Sequence, residues 1–128
     1  MSKEEQYEKR TDPIWFDKPY SSIITDKGQC KVKKGANIHH EVEFGILIGQ
    51  TCKNVALDDW KKVVKGYFVG LDFTDRIYQG RAKDSAGPWS LSKGQDFFCG
   101  LSDFYTDVNA VQDVQDLQLR LEVNGKER

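Results

Sequence analysis

Ile38-His39-His40-Glu41-Val42-Glu43-Phe44-Gly45-Ile46-Leu47-Ile48 is the stretch on which the fold turns. Side chains along a strand point to opposite faces in turn. Ile38, His40, Val42, Phe44, Ile46 and Ile48 therefore share one face, and His39, Glu41, Glu43, Gly45 and Leu47 the other. The pattern predicts a long strand with hydrocarbon on one side and acids on the other. Glu41 and Glu43 then stand roughly 6–7 Å apart and repel each other. A second apolar run, Tyr67-Phe68-Val69-Gly70-Leu71-Asp72-Phe73, predicts another core strand and carries a third carboxylate, Asp72. Carboxylates in runs this apolar are rarely left unpaired. A positive group is expected among them. A hard divalent cation held by oxygen ligands is the simplest choice. Nearby lysines are the plainer alternative, because Glu-x-Glu is also common on exposed faces.

Around these strands the chain offers shorter elements. Ser22-Ile23-Ile24-Thr25 predicts a brief strand. Leu57 to Gly66 predicts a helix, with Asp58 and Asp59 in its first turn, lysines toward its end and Gly66 as C-cap. Thr74 is expected to cap a helix from Asp75 to about Ala82, which places Arg76 and Gln79 on one face. Trp89 to Lys93 and Asp96 to Cys99 read as extended or irregular. Leu117 to Val123 alternates as a half-buried strand, and Asn124-Gly125 then signals a hairpin. With three residues after that turn, the expectation is a chain cut short, with an open strand edge at Leu117–Val123. Trp15, Trp60 and Trp89 are expected as core aromatics, and Cys99 as a small buried hydrophobe. Of the two histidines only His39 falls on the acid face, and hard cations do not usually recruit imidazole.

The 128 residues suit one domain, and 38% hydrophobic with 30% charged residues lies in the globular range. A net charge of -1 gives no nucleic-acid footprint, and no run is long enough to span a membrane. Cys30, Cys52 and Cys99 are an odd set without a CxxC pair. That argues against structural zinc and for free thiols in a reducing compartment, so a cytoplasmic protein is expected. Residues 1–12 are expected to form a solvated, flexible tail, and Glu4, Glu5 and Glu8 argue against a mitochondrial transit peptide. No serine–histidine–acid arrangement is discernible.

Several ordered blocks resemble the fumarylacetoacetate hydrolase family, in its acylpyruvate hydrolase and oxaloacetate decarboxylase branch. They are Phe16-Asp17-Lys18-Pro19-Tyr20-Ser21-Ser22, His39 to Gly49, Val64-Lys65-Gly66-Tyr67, Leu71-Asp72-Phe73-Thr74-Asp75-Arg76, Trp89-Ser90-Leu91-Ser92-Lys93 and Leu121-Glu122-Val123-Asn124-Gly125. The resemblance implies an α+β, mostly β fold, a β-roll that is truncated here, with residues 13–128 forming part of the catalytic domain. It implies that Glu41, Glu43 and Asp72 bind Mg2+ or Mn2+. Lys93 matches a catalytic, substrate-holding lysine, and Arg76 and Gln79 match further substrate contacts.

The resemblance also implies a homodimer, a small oxo-acid substrate such as an acylpyruvate or oxaloacetate, and cleavage by C–C hydrolysis or decarboxylation. A mitochondrial location is the alternative it raises. The chain departs from the family pattern in several places. The lid histidine and glutamate that activate water are missing, as is the C-terminal third with its Gly-Thr-Pro-type loop. Ile77 stands where an aspartate is usual, and Gly100 where a proline is usual. Hydrolysis needs a base and decarboxylation mainly an electron sink. Hydrolysis is therefore expected to suffer more. The competing expectation is a catalytically impaired member that binds metal or partners a full-length subunit.

Overall fold

A computed structural model describes residues 13–25 and 27–128. The expected tail at 1–12 lies outside the described residues. The fold is mixed α+β and mostly sheet. Its backbone is the antiparallel pair of β2 (Ile38–Ile48) and β3 (Val64–Asp75). Glu41 lies directly opposite Asp72, and Glu43 opposite Gly70. The period-two pattern therefore does put the acids of both strands on one face. On its other edge β3 pairs with β4 (Cys99–Leu101) and, further back, with β5 (Thr106–Asp107). Strand β1 (Ile23–Ile24) runs parallel to β4 and closes the order β1-β4-β3-β2.

Helices are short. A 3-10 turn at Leu57–Asp59 leads into α1 (Trp60–Val63), and the chain is already a strand at Val64. The expected helix to Gly66 thus ends early. Its β-branched Val63-Val64 pair favours extension, and Gly66 is not a C-cap but a point of close approach. A Cβ there would collide with the Thr106 carbonyl oxygen of β5. Helix α2 (Arg76–Asp84) is capped by Asp75, whose carboxylate accepts the Ile77 N–H at 3.0 Å, and not by Thr74, which lies inside β3. Trp89–Lys93 is not extended. The Trp89 carbonyl accepts the N–H groups of Ser92 and Lys93, giving the single turn α3 (Ser90–Lys93).

The C-terminal expectation also changes. The hairpin closes: Asn124 and Gly125 take φ values of 53° and 74°, as a tight hairpin turn requires, and β6 (Glu122–Val123) pairs with β7 (Lys126–Glu127). Residues 117–121 form no strand, so no open edge runs along them.

Among the described residues, seven buried side chains are polar or charged against three that are apolar, Val64, Tyr67 and Phe98. The tightest part of the structure is thus the acid face. The opposite sheet face is hydrocarbon left half-open, with Ile46 49% and Val69 51% exposed. Trp15 is 86% exposed, contrary to its expected core role, while Trp60 and Trp89 are half-buried.

Candidate metal centre

Strand geometry supplies the three acids. One carboxylate oxygen from each of Glu41, Glu43 and Asp72 lies within 4.8 Å of the others. Asp72 is buried, Glu41 half-buried and Glu43 exposed. Gly70, opposite Glu43, leaves space beside the acids. A cavity of about 520 Å³ opens there, walled by Phe16, Phe68 and Trp89. Phe68 leans across Gly45, where a Cβ would strike its ring.

Among the described residues, three cations surround the acids. Lys93 is 2% exposed and donates to Glu41 Oε2 at 2.7 Å, to Thr74 Oγ1 at 2.6 Å and to Asp72 Oδ2. An ammonium has three protons, so none remains for another acceptor. Lys18 Nζ donates to the carbonyls of Lys93 at 2.6 Å, Phe98 at 2.7 Å and Phe73 at 3.2 Å. It also stands 2.6 Å from Asp72 Oδ1. That oxygen nevertheless lacks a properly directed hydrogen bond. The reason is geometric: the Lys18 protons point at carbonyls, so Asp72 receives charge without a directed donor. Arg76 spans Glu41 Oε1 at 2.5 Å and Gln79 Oε1 at 2.7 Å, as the shared helix face requires.

The electrostatics separate the two glutamates. Burial pushes the Glu41 carboxyl up, but the hydrogen bond and charge of Lys93, with the hydrogen bond from Arg76, outweigh it and the net movement is below the usual range. Burial, then the negative charges of Asp72 and Glu41, push the Glu43 carboxyl up. Glu43 makes no hydrogen bond or ion pair among the described residues. Burial likewise raises the Cys99 thiol, against the pull of Lys18. A buried acceptor without a directed donor, an unpartnered carboxylate beside it and an all-oxygen donor set fit a hard divalent cation.

The structure therefore gathers all the sequence-predicted residues, Glu41, Glu43, Asp72, Arg76, Gln79 and Lys93, around one point. Gln79 and Lys93 border the cavity, whereas Arg76 sits behind Glu41. His39 and His40 are exposed and outside the acid cluster. Lys18 and Thr74 were missed. The signal for Lys18 lay in the Phe16–Ser22 block, where Pro19 holds the preceding residue extended.

The model of the fumarylacetoacetate (FAA) hydrolase C-terminal region matches residues 1–128. The chain belongs to the fumarylacetoacetate hydrolase family. A mitochondrial oxaloacetate decarboxylase of Dictyostelium discoideum is 36% identical over 118 residues, 91% of this chain and 54% of its own length. An oxaloacetate tautomerase of Escherichia coli is 34% identical over 118 residues, with 91% and 54% covered. Among solved structures, a family protein from Yersinia pestis gives a TM-score of 0.86 at 31% identity, covering 93% of this chain and 55% of that one. A Pseudomonas aeruginosa fumarylpyruvate hydrolase in complex with Mn2+ and pyruvate gives 0.83 at 26% identity, covering 94% and 53%. The chain thus spans about half the length of these family members. Among the described residues no helix is long and apolar enough to cross a membrane.

Proposed function

We propose that this chain carries the metal-binding part of a divalent-metal-dependent enzyme that cleaves small 2-oxo acids, acylpyruvates or oxaloacetate, by C–C hydrolysis or decarboxylation. The observation that carries the reading is the convergence of Glu41, Glu43 and Asp72 within 4.8 Å beside a cavity. These three side chains hold Mg2+ or Mn2+. The ion supplies Lewis acidity toward the 2-oxo acid when bound. Phe16, Phe68 and Trp89 limit water around the bound substrate, and Gln79 offers it an amide. Arg76 keeps Glu41 aimed inward and has N–H donors to spare for a carboxylate.

The pyruvate-bound fumarylpyruvate hydrolase and the oxaloacetate decarboxylase support a small oxo-acid as substrate. We place the protein in the cytoplasm, with mitochondria as the alternative suggested by mitochondrial relatives. We expect a homodimer, since the half-open apolar sheet face is the kind of surface that a partner covers. The second reading, a metal-binding or dimer-partner protein of reduced activity, is favoured by the half-length coverage.

Titration calorimetry with Mn2+ tests the reading, followed by assays on oxaloacetate and acetylpyruvate. Heat that disappears in Asp72→Ala, with turnover that needs metal, supports the enzyme. Heat without turnover on either substrate selects the second reading. No heat from the wild-type chain refutes the enzyme and the metal-binding form of the second reading, and leaves only the dimer partner.

A further inference from the structure

We infer that Gly70 sets substrate specificity: it keeps an apolar floor open beside the acids, and the 2-oxo acid bound there carries an uncharged hydrocarbon tail. The inference rests on the metal-site reading above and adds the class of tail. It starts from a glycine that the fold does not need. A Cβ on Gly70 would stand 3.5 Å from the Gly100 carbonyl oxygen, 3.8 Å from Glu43 Cβ and 3.9 Å from Leu101 Cδ2. All three are ordinary van der Waals distances, and Gly70 lies within strand β3 without a positive φ. Gly45 and Gly66 differ, since a Cβ at either would run into Phe68 or Thr106. Glycine inside a strand weakens it and often marks the close approach of a ligand. The space left at Gly70 belongs to the cavity.

The strand register orders the floor of that cavity. Glu41, Asp72 and Cys99 form one row across β2, β3 and β4. Glu43, Gly70 and Leu101 form the next, and Gly45 and Phe68 a third. Rows on one face are two residues apart, about 7 Å. A 2-oxo acid with its head at the acids therefore sends its tail over Gly70 toward the Phe68 ring. The walls there are the hydrocarbon of Phe68 and Leu101 and the Cys99 thiol, held neutral by burial. Among the described residues the cations lining the cavity are Lys18 and Lys93, and both lie against Asp72 in the first row. A carboxylate at the end of the tail would pass Glu43, find no cation beyond it and lose hydration. A hydrocarbon tail instead gains about fourfold in affinity for each methylene it buries.

Titration calorimetry on the whole Mn2+-loaded chain tests this with 2-oxo acids that lack the 4-oxo group needed for hydrolytic cleavage. Pyruvate is the bare head group. 2-Oxohexanoate adds a hydrocarbon tail, and 2-oxoadipate has the same carbon count but ends in a carboxylate. We expect 2-oxohexanoate to bind at least about tenfold tighter than pyruvate, and 2-oxoadipate no tighter than pyruvate. In Gly70→Val the ratio of 2-oxohexanoate to pyruvate affinity falls at least about fivefold, because the new methyl groups fill the floor. Gly70→Ala, whose Cβ fits by the distances above, lowers the ratio at least about twofold. Its Tm in EDTA matches or exceeds that of the wild type, as alanine suits a strand better than glycine.

Equal wild-type affinities for pyruvate and 2-oxohexanoate overturn the proposal, and so does 2-oxoadipate binding as tightly as 2-oxohexanoate. Variants that keep the wild-type ratio, or that lose pyruvate together with the tail, overturn it as well. Should the valine variant not fold, the alanine variant decides by the same ratio. An alanine variant that melts clearly below the wild type in EDTA shows that the fold does need the glycine, and overturns the proposal without recourse to metal. A wild-type chain that binds no Mn2+, or binds it without pyruvate, fails the reading above. One that binds both and gains nothing from the tail fails the proposal alone.

Discussion

Glu43→Gln should do opposite things to stability and to metal binding. In the absence of metal, Glu43 is repelled by Asp72 and Glu41, with one oxygen of each residue within 4.8 Å of the others. Two unit charges about 5 Å apart repel by about 0.8 kcal/mol in water and about 3 kcal/mol at an effective dielectric of 20. Glu43 is exposed, and Lys93 and Lys18 offset part of the repulsion, so the smaller figure is the ceiling. In EDTA the glutamine variant should match the wild type or exceed it by up to about 1 kcal/mol. With Mn2+ at about a hundred times its Kd, the wild type should gain about 2.7 kcal/mol. A variant bound about tenfold more weakly gains about 1.4 kcal/mol under the same conditions. The metal-induced rise in Tm should therefore be roughly halved, a change of several degrees for a domain of this size. Differential scanning calorimetry in EDTA and in Mn2+ reads both effects. A variant that is clearly less stable in EDTA, or that keeps the whole Mn2+ shift, refutes the assignment of Glu43 as an unpartnered metal ligand.

The raised Glu43 carboxyl gives a pH prediction. Its folded pKa lies above the unfolded one, so between the two the folded chain binds more protons. Metal-free stability from Glu43 therefore falls as pH rises through that window, while Mn2+ affinity rises because the ligand must be ionised; calorimetric affinities at stepped pH that fail to rise count against it. Gly66→Ala should cost about 1–3 kcal/mol in urea unfolding, because the Thr106 carbonyl must move; a variant of wild-type stability would show that β5 does not sit there. With no histidine beside the acids among the described residues, acetylpyruvate hydrolysis should be weaker relative to oxaloacetate decarboxylation. Equal loss of both activities in folded protein would sink that expectation.

What the sequence disclosed depended on the range of the interaction. The period of two in residues 38–48 was enough to place Glu41 and Glu43 on one face, and the second apolar run placed Asp72 on a strand. Nearest-neighbour pairing of those strands then put Glu41 opposite Asp72. The Arg76–Gln79 contact was legible for the same reason, being one helical turn in length. Lys18 was not legible in its role. The Phe16–Ser22 block marked the segment, but the carbonyl partners of Lys18 lie 55, 75 and 80 residues away, and nothing local assigns a lysine to other segments' backbones. Gly66 misled because a glycine after a helical pattern reads as a cap, whereas its smallness answers to Thr106 on another strand. Leu117–Val123 misled in the opposite way: alternation describes which faces a strand would have, but a strand also needs a partner, and only Glu122 and Val123 find one.

The buried set argues that the acid face is kept for binding rather than for stability. Three ionisable side chains, Asp72, Asp75 and Lys93, are among the most enclosed groups described. A buried ion pair seldom repays its desolvation, and well-packed hydrocarbon of the same shape often does better. A chain selected only to fold would thus gain by filling this space with leucine or methionine. It instead places a buried ammonium between two carboxylates, braces it with a buried hydroxyl, and leaves a further carboxylate lining the cavity with no partner among the described residues. The unpartnered charge is the informative one. Glu43 could be neutralised by any of the chain's many lysines at little cost, yet it stands beside two other acids whose nearby lysines, Lys18 and Lys93, are already committed. That surplus of negative charge is unfavourable in isolation and becomes favourable once a divalent ion is held. The stability forgone on the acid face is what a metal ion would restore.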